Sequence, residues 1–499
     1  MNPNAKLPIA ILGVPFDPIT LAETLDAIDE MIHAGRPQYL VTANVDFVVQ
    51  ARNDTELRRI LHEARLVLCD GTPLVWVSRF LGNPLPERVA GADLVPLLIE
   101  RAAQRGHRLF FLGAAPESCE RAVARMQQRF PALKLAGYYS PPFNKLLEMD
   151  HDEIKKRIVA ARPDLLFVSF GCPKQEKWMA MHYRSLGVPV TIGVGATIDF
   201  LAGQVRRAPL WMQRGGLEWI FRLVQEPRRL FERYAKDLGV FSSSIVRQWS
   251  LMGSATGNPA LSKTHQHPAL QSGQDCIALR LPTILTSPFL KANTSWLDQI
   301  MRADGNCFLD GSSVEAIDST AVAVLLRLER ALRATARQLV LVAPSNHLRA
   351  VLALMRLEEC FVVTADSATA QKMVEKRTRE ETRTVLPPIT GLRSVLQWRG
   401  EVTAANADEV WHDTRLFIEE ALGSEESVSI ELNDLRFIDS SGLGIMVRAR
   451  KLAQRNGLDL HFEGANGAVR NVIDLARLAD YFGLKGNPKQ PEPALVTVG

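Results

Sequence analysis

Arg65-Leu-Val-Leu-Cys-Asp-Gly71 is a short apolar run that stops at an acid followed by a glycine. A run of this length reads as a buried parallel strand, which puts Asp70-Gly71 at its carboxyl end. Open α/β sheets bind their ligands at that edge. Asp70 there is either a general base or a turn acid capping the next helix, and considered alone the turn acid is the plainer reading.

Outward from this stretch, residues 7 to 203 alternate short apolar runs with amphipathic segments. The runs expected to be strands are 39–42, 66–69, 108–112, 164–169 and 188–194. Helical periodicity falls at 21–32, 55–63, 94–104, 117–129 and 152–161. Such alternation implies an α/β fold, a Rossmann-like and mostly parallel sheet with helices on both faces. With 499 residues the chain exceeds one hydrophobic core and should hold roughly two to four domains.

Composition is that of an ordinary soluble protein, with 46% hydrophobic and 23% charged residues. The six cysteines form no CxxC and no zinc-type spacing, which fits reduced thiols in the cytosol. No apolar run reaches the ~18 residues of a membrane span, and no signal-peptide core is present, so the expectation is neither secretion nor membrane spanning. Nothing points to nucleic acid. Charge is uneven, however: between Arg206 and Lys236 eight basic residues face three acidic ones, a local +5 in a chain whose total is +4. Such a segment suits an anionic partner such as a phosphate, a diphosphate or a lipid surface.

Within that segment Leu217, Ile220, Phe221, Val224, Phe231 and Leu238 keep a helical stripe. Arg222, Arg229 and Arg233 recur at spacings of seven and four and share a face. Pro227 should divide the helix in two. A solvated basic face is the bland alternative. Trp211, Trp219 and Tyr234 accompany the arginines, a mixture suited to lipid headgroups. Residues 242–272, rich in Ser, Gly, His and Gln, read as a linker.

Beyond it lies an internal repeat. Ile317-Asp-Ser-Thr matches Ile438-Asp-Ser-Ser, and at the same offset of 121 residues the stretch beginning Leu348-Arg-Ala-Val-Leu matches Val469-Arg-Asn-Val-Ile. Two similar small domains follow from this. The expected organisation is an α/β domain over 1–203, a basic helical appendage over 204–246, a linker over 247–272, and repeats over 273–372 and 385–488.

Polar residues cluster where the five expected strands end, and five such loops on one edge make a site. Glycines beside helix starts, including Gly71 and Gly113, let a backbone approach phosphate closely. There is no GxGxxG and no GxxxxGK[ST], so dinucleotide and P-loop binding are disfavoured. No DxD pair stands in these loops, and neither metal nor cofactor is expected. A carboxylate that takes the proton from an attacking alcohol fits best, with Asp70 as the candidate.

Several stretches together resemble one family. They are Thr42-Ala-Asn-Val-Asp46, Asp70-Gly-Thr-Pro73, Glu87-Arg-Val-Ala-Gly-Ala-Asp93, Phe170-Gly-Cys-Pro-Lys-Gln-Glu176, Gly193-Val-Gly-Ala-Thr-Ile-Asp-Phe-Leu-Ala-Gly203, Arg207-Ala-Pro209 and the segment from Gly216 to Arg229. In order and spacing, over roughly residues 8 to 240, they resemble the WecG/TagA/CpsF glycosyltransferases of bacteria. The resemblance implies transfer of an N-acetylmannosamine-type or related hexose from a UDP-sugar to an acceptor on undecaprenyl diphosphate, by an inverting, metal-independent mechanism. The setting implied is surface glycan or exopolysaccharide assembly, with the protein cytoplasmic and peripheral on the inner face of the membrane. It also implies Asp70 as base, Thr42 and Asn44 beside sugar or acceptor, Arg88 and Gln175 at diphosphate or sugar, and Arg222, Arg229 and Arg233 as diphosphate contacts on a tail that closes over the site. Cys172 and Thr197-Ile198 depart from the usual pattern, and the second departure leaves the donor sugar open.

Blander readings stand beside these. Thr42 and Asn44 would satisfy backbone groups at a strand end, and Arg88 would pair with Glu87 or Asp93. The repeats resemble STAS domains of anti-sigma-factor antagonists, which implies regulation or docking through a serine kinase or an anti-sigma-type partner. Ser440 occupies the phosphorylatable position, while Ser319, in a copy without the glycine, looks weaker; the bland reading is that both serines cap helices. A non-catalytic sensor of UDP-sugar or lipid, acting through the repeats, is the competing function.

Overall fold

The computed structural model describes residues 6–205, 207–214, 217–225, 227–252, 271–273, 276–302, 305–366, 368–374, 384–386, 394–422 and 427–484. The chain opens with a hairpin of β1 (Ile9–Ile11) and β2 (Val14–Phe16). Then follow α1 (Leu21–Ala34), β3 (Gln38–Ala43), α2 (Val45–Ala51), α3 (Thr55–Glu63), β4 (Leu66–Cys69), α4 (Thr72–Phe80) and α5 (Gly91–Arg105). Next come β5 (Arg108–Gly113), α6 (Pro116–Arg129), β6 (Lys134–Tyr139), α7 (His151–Ala161), β7 (Leu165–Ser169), α8 (Lys174–Leu186), β8 (Val190–Gly193) and α9 (Thr197–Ala202).

Strands β3 to β8 form one sheet in the order β4-β3-β8-β7-β5-β6, with every neighbouring pair parallel. Their runs, such as Leu-Val-Leu-Cys and Leu-Leu-Phe-Val-Ser, are almost wholly buried, as a sheet covered on both faces requires. One face packs on α1, α5, α6 and α9. The other is covered by α2, α3 and α4 together with the hairpin, and by α7 and α8. All five strands expected from sequence are present within two residues, and all five expected helices within three. The additions are the β1–β2 hairpin, the helices α2, α4, α8 and α9, which open directly from the motif loops, and the edge strand β6, whose polar, half-exposed residues carry no apolar run.

The basic segment forms α10 (Leu210–Arg214), α11 (Glu218–Gln225) and α12 (Pro227–Met252), so Pro227 begins a new helix as expected. Helix α12 corrects the sequence reading at its far end, because it runs to Met252 through residues assigned to the linker. Polar Ser242 and Ser243 face solvent there, whereas Phe241, Ile245, Gln248 and Met252 are buried. The spacing of those four, rather than average composition, holds the helix.

In the first repeat come β9 (Gln271–Gly273), β10 (Cys276–Arg280), β11 (Ile284–Leu285), α13 (Ser287–Ala292), α14 (Thr294–Arg302), β12 (Asn306–Asp310), β13 (Ala316–Ile317), α15 (Ser319–Arg333), β14 (Leu339–Val342), α16 (Asn346–Leu354) and β15 (Val362–Thr364). Its main sheet has the order β15-β14-β12-β10-β9, parallel except for the β9 edge. Residues 1–374 cluster as one unit and 375–499 as another. The first repeat shares its core with the preceding domain: Leu7, Ala10 and Met252 belong to the same apolar cluster as Leu285, Val322 and Leu348.

In the second unit the strands Val385–Leu386, Val395–Val402, Ser427–Ile438 and Asp459–Glu463 form a sheet in that order, antiparallel only at the first pair. Helix Gly467–Leu475 stands 121 residues beyond α16, at the offset read from the repeat. Asp318 and Asp439 are the helix caps in the two repeats, and each serine is the first helical residue, which corrects the reading of the serines as caps.

The β1–β2 turn is Leu12-Gly13, with φ of 50° and 89°. Positive φ at both positions is the type I′ form of a two-residue hairpin loop, and glycine adopts it without strain. A Cβ on Gly13 would also lie 2.5 Å from the carbonyl oxygen of Met355 in the first repeat. Gly13→Ala should therefore destabilise residues 1–374 by about 2 to 4 kcal/mol, read as a lowered unfolding midpoint in urea with the second unit's transition unmoved.

Candidate functional site

Because the six strands are parallel, the ends of β3, β4, β5, β7 and β8 meet at one edge, and the motif loops gather there. Asp70 follows β4, where its amide donates to Ala43 O at 2.9 Å and its Oδ2 accepts from the Gly91 amide at 3.4 Å. The contact with Gly91 sets the carboxylate against the start of α5. Gly71 is the N-cap of α4 and lies beside Asn44, with no side chain between them. Pro73 takes the first turn, where its missing N–H costs nothing.

Gly91 also lies beside β3 and the start of α9. A Cβ on it would stand 3.5 Å from Thr42 Oγ1 and 3.6 Å from Thr197 Oγ1. Thr42 donates to Gly193 O at 3.3 Å, so its hydroxyl joins the ends of neighbouring strands. Asn44 caps α2, its Oδ1 accepting from the Phe47 amide at 3.3 Å. Thr42, Asp70, Gly71, Asn44, Gly91 and Thr197 thus form one group.

Gln175 and Gly113 line the other half of the edge. Gln175 is buried and its Oε1 accepts from the amides of Gly171 and Gly195, both at 3.2 Å. One side-chain amide thereby ties the loop after β7 to the loop after β8. Gly113 has φ of 95°, and a Cβ there would be 2.4 Å from Ser169 O, so β5 and β7 approach too closely for any side chain.

Arg88 has found acids. Its Nη2 lies 2.6 Å from Asp93 and its Nη1 2.8 Å from Glu218, at the start of α11. Arg207 completes the cluster, 2.8 Å from Asp93 and 3.5 Å from Glu218. Burial opposes the charge of Arg88, but the Glu218 hydrogen bond and the charges of Asp70, Asp93 and Glu218 outweigh it and raise its pKa. The pairing of Arg88 with Asp93 is the one the blander sequence reading offered, whereas Arg207 and Glu218 were not singled out from sequence. Arg207 and Asp93 lie inside the quoted motifs, and Glu218 entered only as one acid in a basic segment; nothing in spacing announces a four-member ion cluster. The side chains of Arg222, Arg229 and Arg233 lie outside the described residues, while the backbone at these positions is helical, in α11 and α12.

Beneath the loops lies Glu176, fully buried and hydrogen-bonded from Gln175 Nε2 at 2.7 Å. Burial pushes its pKa up to about 7, against the smaller opposing pull of that hydrogen bond. In the second unit Ser440 is buried at the head of its helix, with Asp439 accepting from the amides of Ser441, Gly442 and Ala404.

Comparison with known proteins covers most of the described chain. Residues 9–254 match the Glycosyl transferase WecG/TagA/CpsF family. Residues 384–490 match the STAS domain, and residues 269–364 match the family described as Mlab, STAS domain. The N-acetylglucosaminyldiphosphoundecaprenol N-acetyl-beta-D-mannosaminyltransferase of Bacillus spizizenii is 35% identical over 38% of this chain and 72% of its own length. Its Staphylococcus aureus namesake is 30% identical over 48% of this chain and 92% of its own length.

Glu176 yields a prediction that tests the buried floor of the site. A carboxyl whose folded pKa is raised contributes its stability below about pH 4.5 and loses it as pH rises through about 7. Relative to Glu176→Gln, the parent should lose up to about 3 kcal/mol between pH 4.5 and pH 8, measured as the difference between the two proteins' urea unfolding free energies.

Proposed function

Since this chain belongs to the WecG/TagA/CpsF family of glycosyltransferases, we propose that it moves an N-acetylmannosamine-type or related hexose from a UDP-sugar to an acceptor on undecaprenyl diphosphate. The observation that carries this reading is the group of Asp70, Thr42, Asn44, Gly91 and Thr197 at the carboxyl edge, beside the Arg88 and Arg207 cluster. The names of the Bacillus and Staphylococcus relatives support both the sugar and the lipid-linked acceptor.

In the proposed reaction Asp70 takes the proton of the acceptor hydroxyl as that oxygen attacks the anomeric carbon from the face opposite UDP. The new C–O bond forms, the bond to the UDP diphosphate breaks with its electron pair leaving on phosphate, and configuration inverts. Arg88, with Arg222, Arg229 and Arg233 of the tail, neutralises diphosphate charge. Gln175 and Gly113 shape the nucleotide side, and Glu218 of α11 fastens the tail over the edge through Arg88 and Arg207. The lack of a DxD pair in the loops supports a metal-independent route, in which these arginines do the work of a cation.

A peripheral site on the inner face of the cytoplasmic membrane belongs to the same proposal. No described helix is long and apolar enough to cross a membrane. Yet Val224, Phe231 and Leu238 stand exposed seven residues apart, with Trp211 and Trp219 also exposed on the tail. An outward apolar stripe beside arginines suits a headgroup interface. The second repeat is the proposed regulatory or docking module, with Ser440 as its modification site.

The test is turnover of a UDP-sugar panel with a short-chain polyprenyl-diphosphate acceptor. Asp70→Asn should lower kcat by about 10²- to 10⁴-fold with donor affinity kept. Equal turnover by parent and variant would remove Asp70 from the base role, and donor binding without turnover by the parent would return the sensor reading.

A further inference from the structure

The helix head that carries Ser319 in the first repeat is already occupied, and its occupant is the transferase. Ser319, Thr320 and Gln248 are all buried. Gln248 of α12 donates through Nε2 to Ser319 Oγ and to Ala10 O, each at 2.9 Å, and accepts through Oε1 from the Leu12 amide at 2.9 Å. One amide thus joins α12, the β1–β2 hairpin and α15. Ser319 Oγ donates in turn to Met252 Sδ at 3.3 Å. Asn83, just after α4, donates to Thr320 Oγ1 at 2.8 Å and to Leu7 O at 3.2 Å.

The contact continues along α15. Arg327 lies 2.5 Å from Asp17, and Asp17 Oδ2 also accepts from the Val67 amide at 2.7 Å. Val67 belongs to β4, the edge strand that ends at Asp70. The first repeat is therefore tied to the strand that delivers Asp70 and to the helix that continues from the arginine-bearing tail. A phosphate on Ser319 would place about two negative charges among an amide, a thioether and the adjacent Asp318, with no cation among these partners.

We propose that the face of the first repeat bearing Asp318-Ser319-Thr320 is an intramolecular docking surface for the transferase, a brace that holds α12 and through it the tail, and not a phosphorylation switch. Gln248 is the central positioning residue. This goes beyond the proposed reaction and does not depend on it.

Hydrogen exchange on the full chain tests the brace without any turnover, comparing parent, Ser319→Ala, Ser319→Asp and Gln248→Ala. Ser319→Asp and Gln248→Ala should each speed exchange across residues 227–252 and 9–16 by about tenfold or more, with the strands 108–113 and 165–169 unchanged. Ser319→Ala, which adds no charge, should stay within about threefold of the parent. With an active donor and acceptor pair in hand, Gln248→Ala should raise the acceptor KM more than it lowers kcat, because the tail and not the base is loosened. Parent-like exchange of 227–252 in Ser319→Asp would overturn the proposal. Should that variant not fold, parent-like exchange in Gln248→Ala would do so. Failure to find any transferase activity would leave the exchange result standing.

Discussion

All six strands of the large sheet run the same way, and most of what this protein can do follows from that constraint. Parallel strands need crossovers, the crossovers are helices, and each helix begins where a strand has just ended. The beginnings of α2, α4, α8 and α9 consequently share one edge, reached through short loops. Asp70 becomes chemically interesting only in that company. In an antiparallel sheet the same Asp-Gly would be a turn between two strands, with no second loop within reach.

A carboxylate held against the start of α5 has to be balanced, and the balance explains the neighbouring ion cluster. Arg88 and Arg207 supply two positive charges against Asp70, Asp93 and Glu218. Two cations against three carboxylates leave the group without net positive charge, so Arg88, already paired with Asp93 and Glu218, cannot neutralise a diphosphate alone; Arg207 Nε and Nη2 and Glu218 Oε1 are buried there without a hydrogen-bond partner among the described residues. On the proposed reading the further positive charge comes from Arg222, Arg229 and Arg233, in the same basic segment that contributes Arg207 and Glu218. Glu218 ties the two together, since it sits on the tail and binds the arginines of the edge. Removing one member of such a half-buried group leaves its partners uncompensated, so the cluster holds as a set.

The α/β layer was legible because its signals are local. Leu66 to Cys69 is apolar with a clean stop, and 55–63 has helical spacing after Asp54, whose side chain does cap α3. The offset of 121 residues between repeats transferred α16 onto its counterpart without adjustment. Less legible was whatever depends on distant partners. Ser242 to Met252 has a linker's composition but a helix's burial, because Phe241, Ile245, Gln248 and Met252 meet surfaces made by residues far away in sequence. At the edge, Asp70, Thr42 and Gln175 could be named from motif and position. The pairing of Arg88 with Glu218, separated by 130 residues, could not.

The two repeats show how one cap can serve two purposes. In each, an aspartate caps a helix and the next residue is a buried serine, so local geometry does not distinguish them. Surroundings do. Ser319 is hydrogen-bonded by a glutamine from outside its own repeat, and Arg327 on the same helix is spent on Asp17. Ser440 belongs to the second unit, residues 375–499, whose strands form a sheet of their own. The first copy of the duplication has merged into the core of residues 1–374, where the face bearing Ser319 is filled. Changes at Ser319 accordingly report on the fit of α12.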